Sequence, residues 1–120
     1  MLEAEVLPLD LSPLWNKVHT IVSSIPAGHW ASYGDVAVAA GTNAQSIGNH
    51  LAEHPVLNAH RVLRTDGSIS DGFRWLNAEE TRSPKEVLES EGVEFTSSNR
   101  ANPQQRLTPE ELLAFFAAEN

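Results

Sequence analysis

The sequence predicts a mainly α chain, a winged helix-turn-helix-like helical domain with a small β-hairpin. Two short helical segments, Tyr33 to Ala40 and Ala44 to Glu53, are separated by a tight turn that holds Gly41, which is the helix-turn-helix pattern. After Pro55 the period changes: Arg61-Val62-Leu63 and Ser68-Ile69-Ser70 flank Thr65-Asp66-Gly67, and two short strands around an Asp-Gly turn read as a hairpin that would serve as the wing. Leu14, Val18, Ile21 and Val22 recur with helical spacing and supply an apolar stripe for this pair to pack on.

Residues 1 to 11 read as an extended lead-in, with Pro8 opposing regular structure. Ser12-Pro13 then gives an N-cap followed by proline at the first helical position, and Ile25-Pro26 ends that helix. Ala27-Gly28 turns the chain towards Ser32, an N-cap with Asp35 three residues on; Gly41 closes the helix and Asn43 caps the next. Ala44, Ser46 and Gly48 on that second helix are small and uncharged, whereas a helix reading the major groove carries long side chains to the base edges. Such a face suits either close approach to the walls of a minor groove or tight packing of the two helices. Asp71 to Thr81 has no clear period and reads as a loop folded back on the core. Ser83-Pro84-Lys85-Glu86 opens a helix that stops at Gly92, and Val93-Glu94-Phe95 is a short strand or a return onto the core. Thr96 to Arg106 is polar and reads as an exposed connection. Thr108-Pro109-Glu110-Glu111 starts a terminal helix over about 108 to 119, whose Leu112, Leu113, Phe115 and Phe116 are expected to pack on the N-terminal helix.

At 120 residues and 41% hydrophobic content, the chain is expected to form one domain spanning 1 to 120. It has no cysteine, which excludes disulfides, thiolate metal sites and cysteine nucleophiles. No apolar run approaches the roughly 18 residues of a membrane span, so no membrane partner and a cytoplasmic location are expected. The net charge of −8 argues against a broad basic coat for nucleic acid. The charge is unevenly spread: −2 over residues 1 to 27, −1 over 28 to 75 and −5 over 76 to 120, so the paired helices lie in a nearly neutral stretch.

His50 and His54 lie four apart on one helix with His60 close by, which imitates a metal-ligand spacing, but no glutamate sits within the pair as in the metalloprotease motif. A helix end is also a common place for capping histidines, so no metal and no cofactor are assigned. Ser23, Ser24 and Ser32 with these histidines form no nucleophile-elbow pattern and read as caps and turns.

The run from Ile25 to Ala37, Ile47-Gly48-Asn49, Ala59 to Leu63 with Asp66-Gly67, and Leu88 to Val93 together resemble the DNA-binding domain of the O6-alkylguanine-DNA alkyltransferases, over about residues 14 to 95. That family carries Pro-Cys-His-Arg-Val, whose cysteine accepts an alkyl group from a flipped guanine. This chain has Asn58-Ala59-His60-Arg61-Val62 and therefore resembles the alkyltransferase-like members, which lack the cysteine and bind damaged DNA without repairing it. The resemblance implies that Tyr33 presses on a phosphate and helps rotate the nucleotide out. It also implies that Ala44, Gln45, Ser46, Gly48 and Asn49 face the minor groove, with Arg61 and Arg64 counted among the DNA contacts. Tyr33, Ala59, Gly72, Phe73 and Arg74 would line the lesion pocket, and His60 with Glu91 would be a vestigial active-site pair with nothing to activate.

Two departures stand out. Gln45 occupies the place of the family's arginine finger and brings neither charge nor a guanidinium to stack. Gly72 stands about where some alkyltransferase-like proteins carry an arginine against the flipped base, leaving Arg74 as the nearby cation. The function so implied is non-enzymatic recognition of O6-alkylguanine or other modified guanine in double-stranded DNA by base flipping, flagging it for nucleotide excision repair proteins. Two alternatives stay open: a helix-turn-helix domain that reads DNA shape or a modified base without damage specificity, and a protein-interaction module reusing the fold, which the acidic charge and Gln45 favour.

Overall fold

The computed structural model describes residues 12–76 and 79–119, so the extended lead-in expected over residues 1 to 11 lies outside the described residues. Helix α1 (Pro13–Ser23) starts where Ser12 accepts a hydrogen bond from the Trp15 amide and Pro13 takes a position that needs no amide donor. Its stripe of Val18, Ile21 and Val22 is completely buried. A two-residue strand β1 (Ala31–Ser32) follows and runs straight into α2 (Tyr33–Ala40). The junction is a capping box, with the Asp35 amide donating to Ser32 Oγ at 2.9 Å and the Ser32 amide donating to the Asp35 carboxylate at 3.0 Å. Gly41 ends α2 at φ 88°, a left-handed conformation that a side chain would strain. After a three-residue turn, Asn43 caps α3 (Ala44–Glu53) by accepting from the Ser46 amide at 2.8 Å.

The small sheet differs from the expected hairpin. Strand β2 (Val62–Leu63) pairs in parallel with β1, Ala31 opposite Val62 and Ser32 opposite Leu63, and residues 68–70 form no strand. Val62 and Leu63 are both buried, so this is a strand covered on both faces, a pattern that belongs to an interior parallel pair and not to a half-solvated wing. The Asp-Gly turn itself forms, with the Gly67 amide donating to the Arg64 carbonyl at 2.8 Å and the Arg64 amide to the Ser68 carbonyl at 2.9 Å. Gly67 has φ 85°, and a Cβ there would stand 2.9 Å from backbone atoms of Ala101. The turn is thus docked against the chain's own C-terminal portion.

That docking corrects a second expectation in part: of the stretch from Thr96 to Arg106, residues 96–100 are exposed as expected, but from Ala101 on the chain is tied to the domain. Ala101 and Leu107 are buried, the Ala101 amide donates to the Gly67 carbonyl, and Trp30 exchanges backbone hydrogen bonds with Gln105 and Leu107. The Trp30 indole donates to the Asn102 carbonyl at 2.9 Å, and Arg106 places Nε 2.7 Å and Nη2 3.1 Å from the two Asp35 oxygens. The segment is a strap whose polar side chains satisfy buried groups of the domain, so its composition alone imitates a solvated loop. Helix α4 (Pro84–Ser90) precedes it with the expected capping box at Ser83, and α5 (Pro109–Glu119) follows. α5 packs on α2 as well as on α1; of its apolar residues Leu112 is buried, Phe115 and Phe116 are half-buried against the core, and Leu113 is exposed. Among the described residues no helix is long and apolar enough to cross a membrane.

Candidate nucleic-acid interface

The capped turn between α2 and α3 sets α3 beside the start of α2, and the loop after β2 closes the remaining side of an open pocket of about 460 Å³. One wall is the α3 face of Ala44, Gln45, Gly48, Asn49 and Ala52, a series that advances by three and four residues as one side of a helix must. Tyr33 stands at the first position of α2, Ala59 comes from the 3₁₀ turn before β2, and the opposite wall is Arg64, Ser70, Gly72, Phe73 and Arg74. The expected lesion-pocket set of Tyr33, Ala59, Gly72, Phe73 and Arg74 therefore converges in space. The small side chains at 44 and 48, and Gly48 above all, with nothing within 4 Å of where a Cβ would sit, leave α3 free for close approach.

Two expected contact residues do not join this surface. Ser46, two residues from Ala44, falls near the opposite side of the helix and does not line the pocket. Arg61 is turned inward: its Nε and Nη2 each stand 3.0 Å from Glu91 oxygens and Nη1 donates to the Ile25 carbonyl, leaving a side chain only 12% exposed. His60 completes the cluster, Nε2 2.9 Å from Glu91 Oε2. Burial alone would raise the pKa of Glu91, but its hydrogen bonds and charge interactions with Arg61 and His60 outweigh this and hold it below the ordinary carboxylate value. Glu91 joins the end of α4 to the 3₁₀ turn, and Arg61 carries the link on to Ile25, just beyond α1.

Sequence reading missed Ser70 and Ala52. Ala52 carried a signal, since it lies four residues beyond Gly48; Ser70 carried none, because only the fold brings it to the Tyr33 hydroxyl. Burial raises the Tyr33 pKa more than the Ser70 hydrogen bond and nearby Arg64 lower it, which keeps the phenol neutral and available as a donor.

The three histidines do not gather. His60 belongs to the Glu91 cluster, whereas His50 is sandwiched between Trp15 and His54, with ring centroids 4.1 and 4.2 Å away, and its Nε2 is 2.7 Å from that of His19. His54 Nδ1 lies 3.2 Å from the His50 carbonyl at the end of α3, a capping arrangement. Among the described residues no group of three or more His, Asp or Glu is arranged to hold a metal.

A domain of this build, with a small-faced helix and a tyrosine at the start of α2 around a pocket, matches a known family over most of its length. The family model described as 6-O-methylguanine DNA methyltransferase, DNA binding domain, matches residues 13–93, and the chain belongs to that family. With no cysteine, it is of the alkyltransferase-like type. The chain is similar to S. pombe Atl1 in complex with damaged DNA containing O6-carboxymethylguanine, with a TM-score of 0.62 and 32% identity over 84% of this chain and 100% of that one. It is 33% identical over 94 residues to the DNA base-flipping protein of Escherichia coli, covering 74% of this chain and 69% of that protein. It is also 36% identical over 80 residues to the methylated-DNA--protein-cysteine methyltransferase of Methanothermobacter thermautotrophicus, covering 64% of this chain and 43% of that protein. The chain thus spans less than half the length of that methyltransferase.

Proposed function

We propose that this chain is a non-enzymatic DNA-binding protein that takes O6-alkylguanine or another enlarged guanine out of the duplex into the pocket between α3 and the 70–74 loop, and marks it for nucleotide excision repair. The observation that carries this reading is Ala59 on the pocket wall, at the place where the family keeps its acceptor cysteine. A methyl group is no nucleophile, so a base held there is bound and not repaired. The volume of about 460 Å³ lies in the range of small-ligand pockets, and the flanking small residues of α3 suit a minor-groove wall. Rotating a base out costs a few kcal/mol of unstacking, which contacts from Tyr33, Phe73 and Arg74 would offset. A protein that binds a lesion without removing it acts by recruiting other factors, which is the ground for the repair hand-over. The net charge of −8 and Gln45 favour one competitor, an interaction module that does not bind DNA at all.

Fluorescence anisotropy on matched duplexes, one holding O6-methylguanine, separates these readings. Preference for the modified duplex supports lesion recognition, equal binding points to a reader of shape, and no binding at any salt concentration points to the interaction module. Tyr33→Ala is expected to weaken binding to the modified duplex by about 1 to 3 kcal/mol, the scale of one aromatic contact to a nucleotide, in a variant that still folds. A folded variant that binds unchanged removes Tyr33 from the site.

Gln45 lies exposed on the α3 wall, so an arginine there meets no buried neighbour. Gln45→Arg is expected to tighten binding to the modified duplex by about 1 to 2 kcal/mol, because a guanidinium can fill the vacated stack and adds a charge-assisted contact. Unchanged affinity would show that α3 does not enter the groove.

A further inference from the structure

We infer that the DNA track continues from the base pocket onto a second concavity of about 600 Å³, where Arg64, Lys85 and Arg100 take backbone phosphates, Arg100 being supplied by the C-terminal segment outside the family match. The inference rests on the base-flipping reading and adds the path of the strand. Arg64 lines both concavities, so a strand whose nucleotide enters the first leaves over the second.

The cations of this acidic chain differ in how firmly they are engaged. Of the eight lysines and arginines, Arg61 is held by Glu91 and Arg106 by Asp35, both partly buried. Arg82 forks onto Glu80, and Lys17 sits over the Phe116 ring at 5.4 Å. The other four are Arg64, Arg74, Lys85 and Arg100; Arg64, Lys85 and Arg100 have only exposed ion-pair partners, Lys85 lying also over the Phe95 ring at 5.7 Å, and these three converge on the same groove. The rest of its lining includes Ser68, Ser98 and Asn99, neutral groups that suit phosphate oxygens without reading bases, and the carboxylates Asp66 and Asp71.

The cations in the groove are held by partners that phosphate can replace. Arg64 Nη2 is 3.2 Å from Asp71, whose side chain is 93% exposed, and Lys85 Nζ is 2.9 Å from Oδ1 of the Asn99 side chain and 3.9 Å from Glu89. Ion pairs this exposed contribute little, so exchanging the carboxylate for phosphate costs little. Asp66 is different: it lies 3.1 Å from Arg100 but is fixed by the Ser68 amide at 2.9 Å and hydroxyl at 2.6 Å. It stays in the groove and tempers the attraction, which makes it a second handle on the site.

The test is anisotropy with the full chain over a series of salt concentrations, on duplexes with and without O6-methylguanine. Each neutralised phosphate adds about −0.9 to the slope of log affinity against log salt, so four cations that each take a phosphate give a wild-type slope of about −3 to −4. Lys85→Gln/Arg100→Gln is expected to weaken both duplexes by the same factor, roughly threefold to thirtyfold, and to reduce the slope by about one to two units, with lesion preference intact. Asp66→Asn, which keeps the oxygen that Ser68 binds, is expected to tighten both duplexes; it serves as an independent readout should the double variant unfold. Wild-type binding with unchanged affinity and slope in these variants overturns the phosphate track and leaves the base-flipping reading standing. A variant that loses lesion preference instead of common affinity overturns it too, by placing the groove in lesion recognition. A wild type that binds neither duplex removes both.

Discussion

Glu91→Ala is expected to cost about 2 to 4 kcal/mol of folding stability, read as a lower urea midpoint with an unchanged slope. The carboxylate accepts two hydrogen bonds from Arg61 and one from His60, and the Arg61 and Glu91 side chains are only 12% and 17% exposed. Truncation leaves a guanidinium in the interior with the Ile25 carbonyl as its remaining partner. A buried pair broken on one side loses about 3 to 5 kcal/mol, and residual solvent access at this site lowers that figure. Arg61→Ala/Glu91→Ala should cost less than the sum of the two single changes, because the second truncation removes a charge that the first had stranded. A loss within about 0.5 kcal/mol for Glu91→Ala would show that the junction holds nothing. In this chain Glu91 anchors Arg61, and His60 bonds the same carboxylate.

Acidification is expected to have a comparable effect, with His50 as its main source between pH 6.5 and 4. Burial, and then the neighbouring His54 and His19, push the His50 pKa down from 6.5 to about 4. The unfolded chain therefore takes up a proton at this residue before the folded chain does. The contribution is complete above pH 6.5, is lost as the pH falls, and is exhausted near pH 4. Its size is on the order of 3 kcal/mol, at 1.36 kcal/mol per pKa unit. His19, lowered by burial and by His54, acts in the same direction. Asp35 and Glu91 extend the loss to lower pH. Burial opposes their ionisation, but hydrogen bonds from Arg106 and Ser32 to Asp35, and from Arg61 and His60 to Glu91, win, so both are held below their ordinary values. Their stabilisation is present above the unfolded carboxylate pKa and disappears as the pH drops through the folded one. His50→Phe keeps a ring between Trp15 and His54 but cannot titrate. Its melting temperature should fall less than that of wild type between pH 7 and 4.5; equal falls would acquit His50.

Local chemistry made the helices legible. Ser12, Ser32, Asn43 and Ser83 cap in the structure as their spacing indicates, because a cap is satisfied by amides two or three residues away and needs nothing from the rest of the chain. The same holds for Gly41. The base pocket was legible only through resemblance: no local rule brings Tyr33, Ala59 and the 70–74 loop together, and the histidine spacing at 50, 54 and 60 pointed to a grouping that the fold does not make.

What the sequence determined by itself was therefore the set of short-range features: the five α-helices of the described residues with their caps, the Asp-Gly turn, and the absence of any thiol at position 59 or elsewhere. Tertiary structure alone decided which groups are spent and which are free. Val62 and Leu63 pair with residues about thirty positions earlier instead of with their neighbours across the turn, and Arg61 turns inward to Glu91 while Arg64, three residues on, faces the pocket. Arg106 is drawn from a polar stretch onto Asp35, and Arg100 is carried from the same stretch to the groove of Arg64. Charge has no periodicity that marks its partner, and a buried carboxylate recruits whichever guanidinium the packing brings within reach.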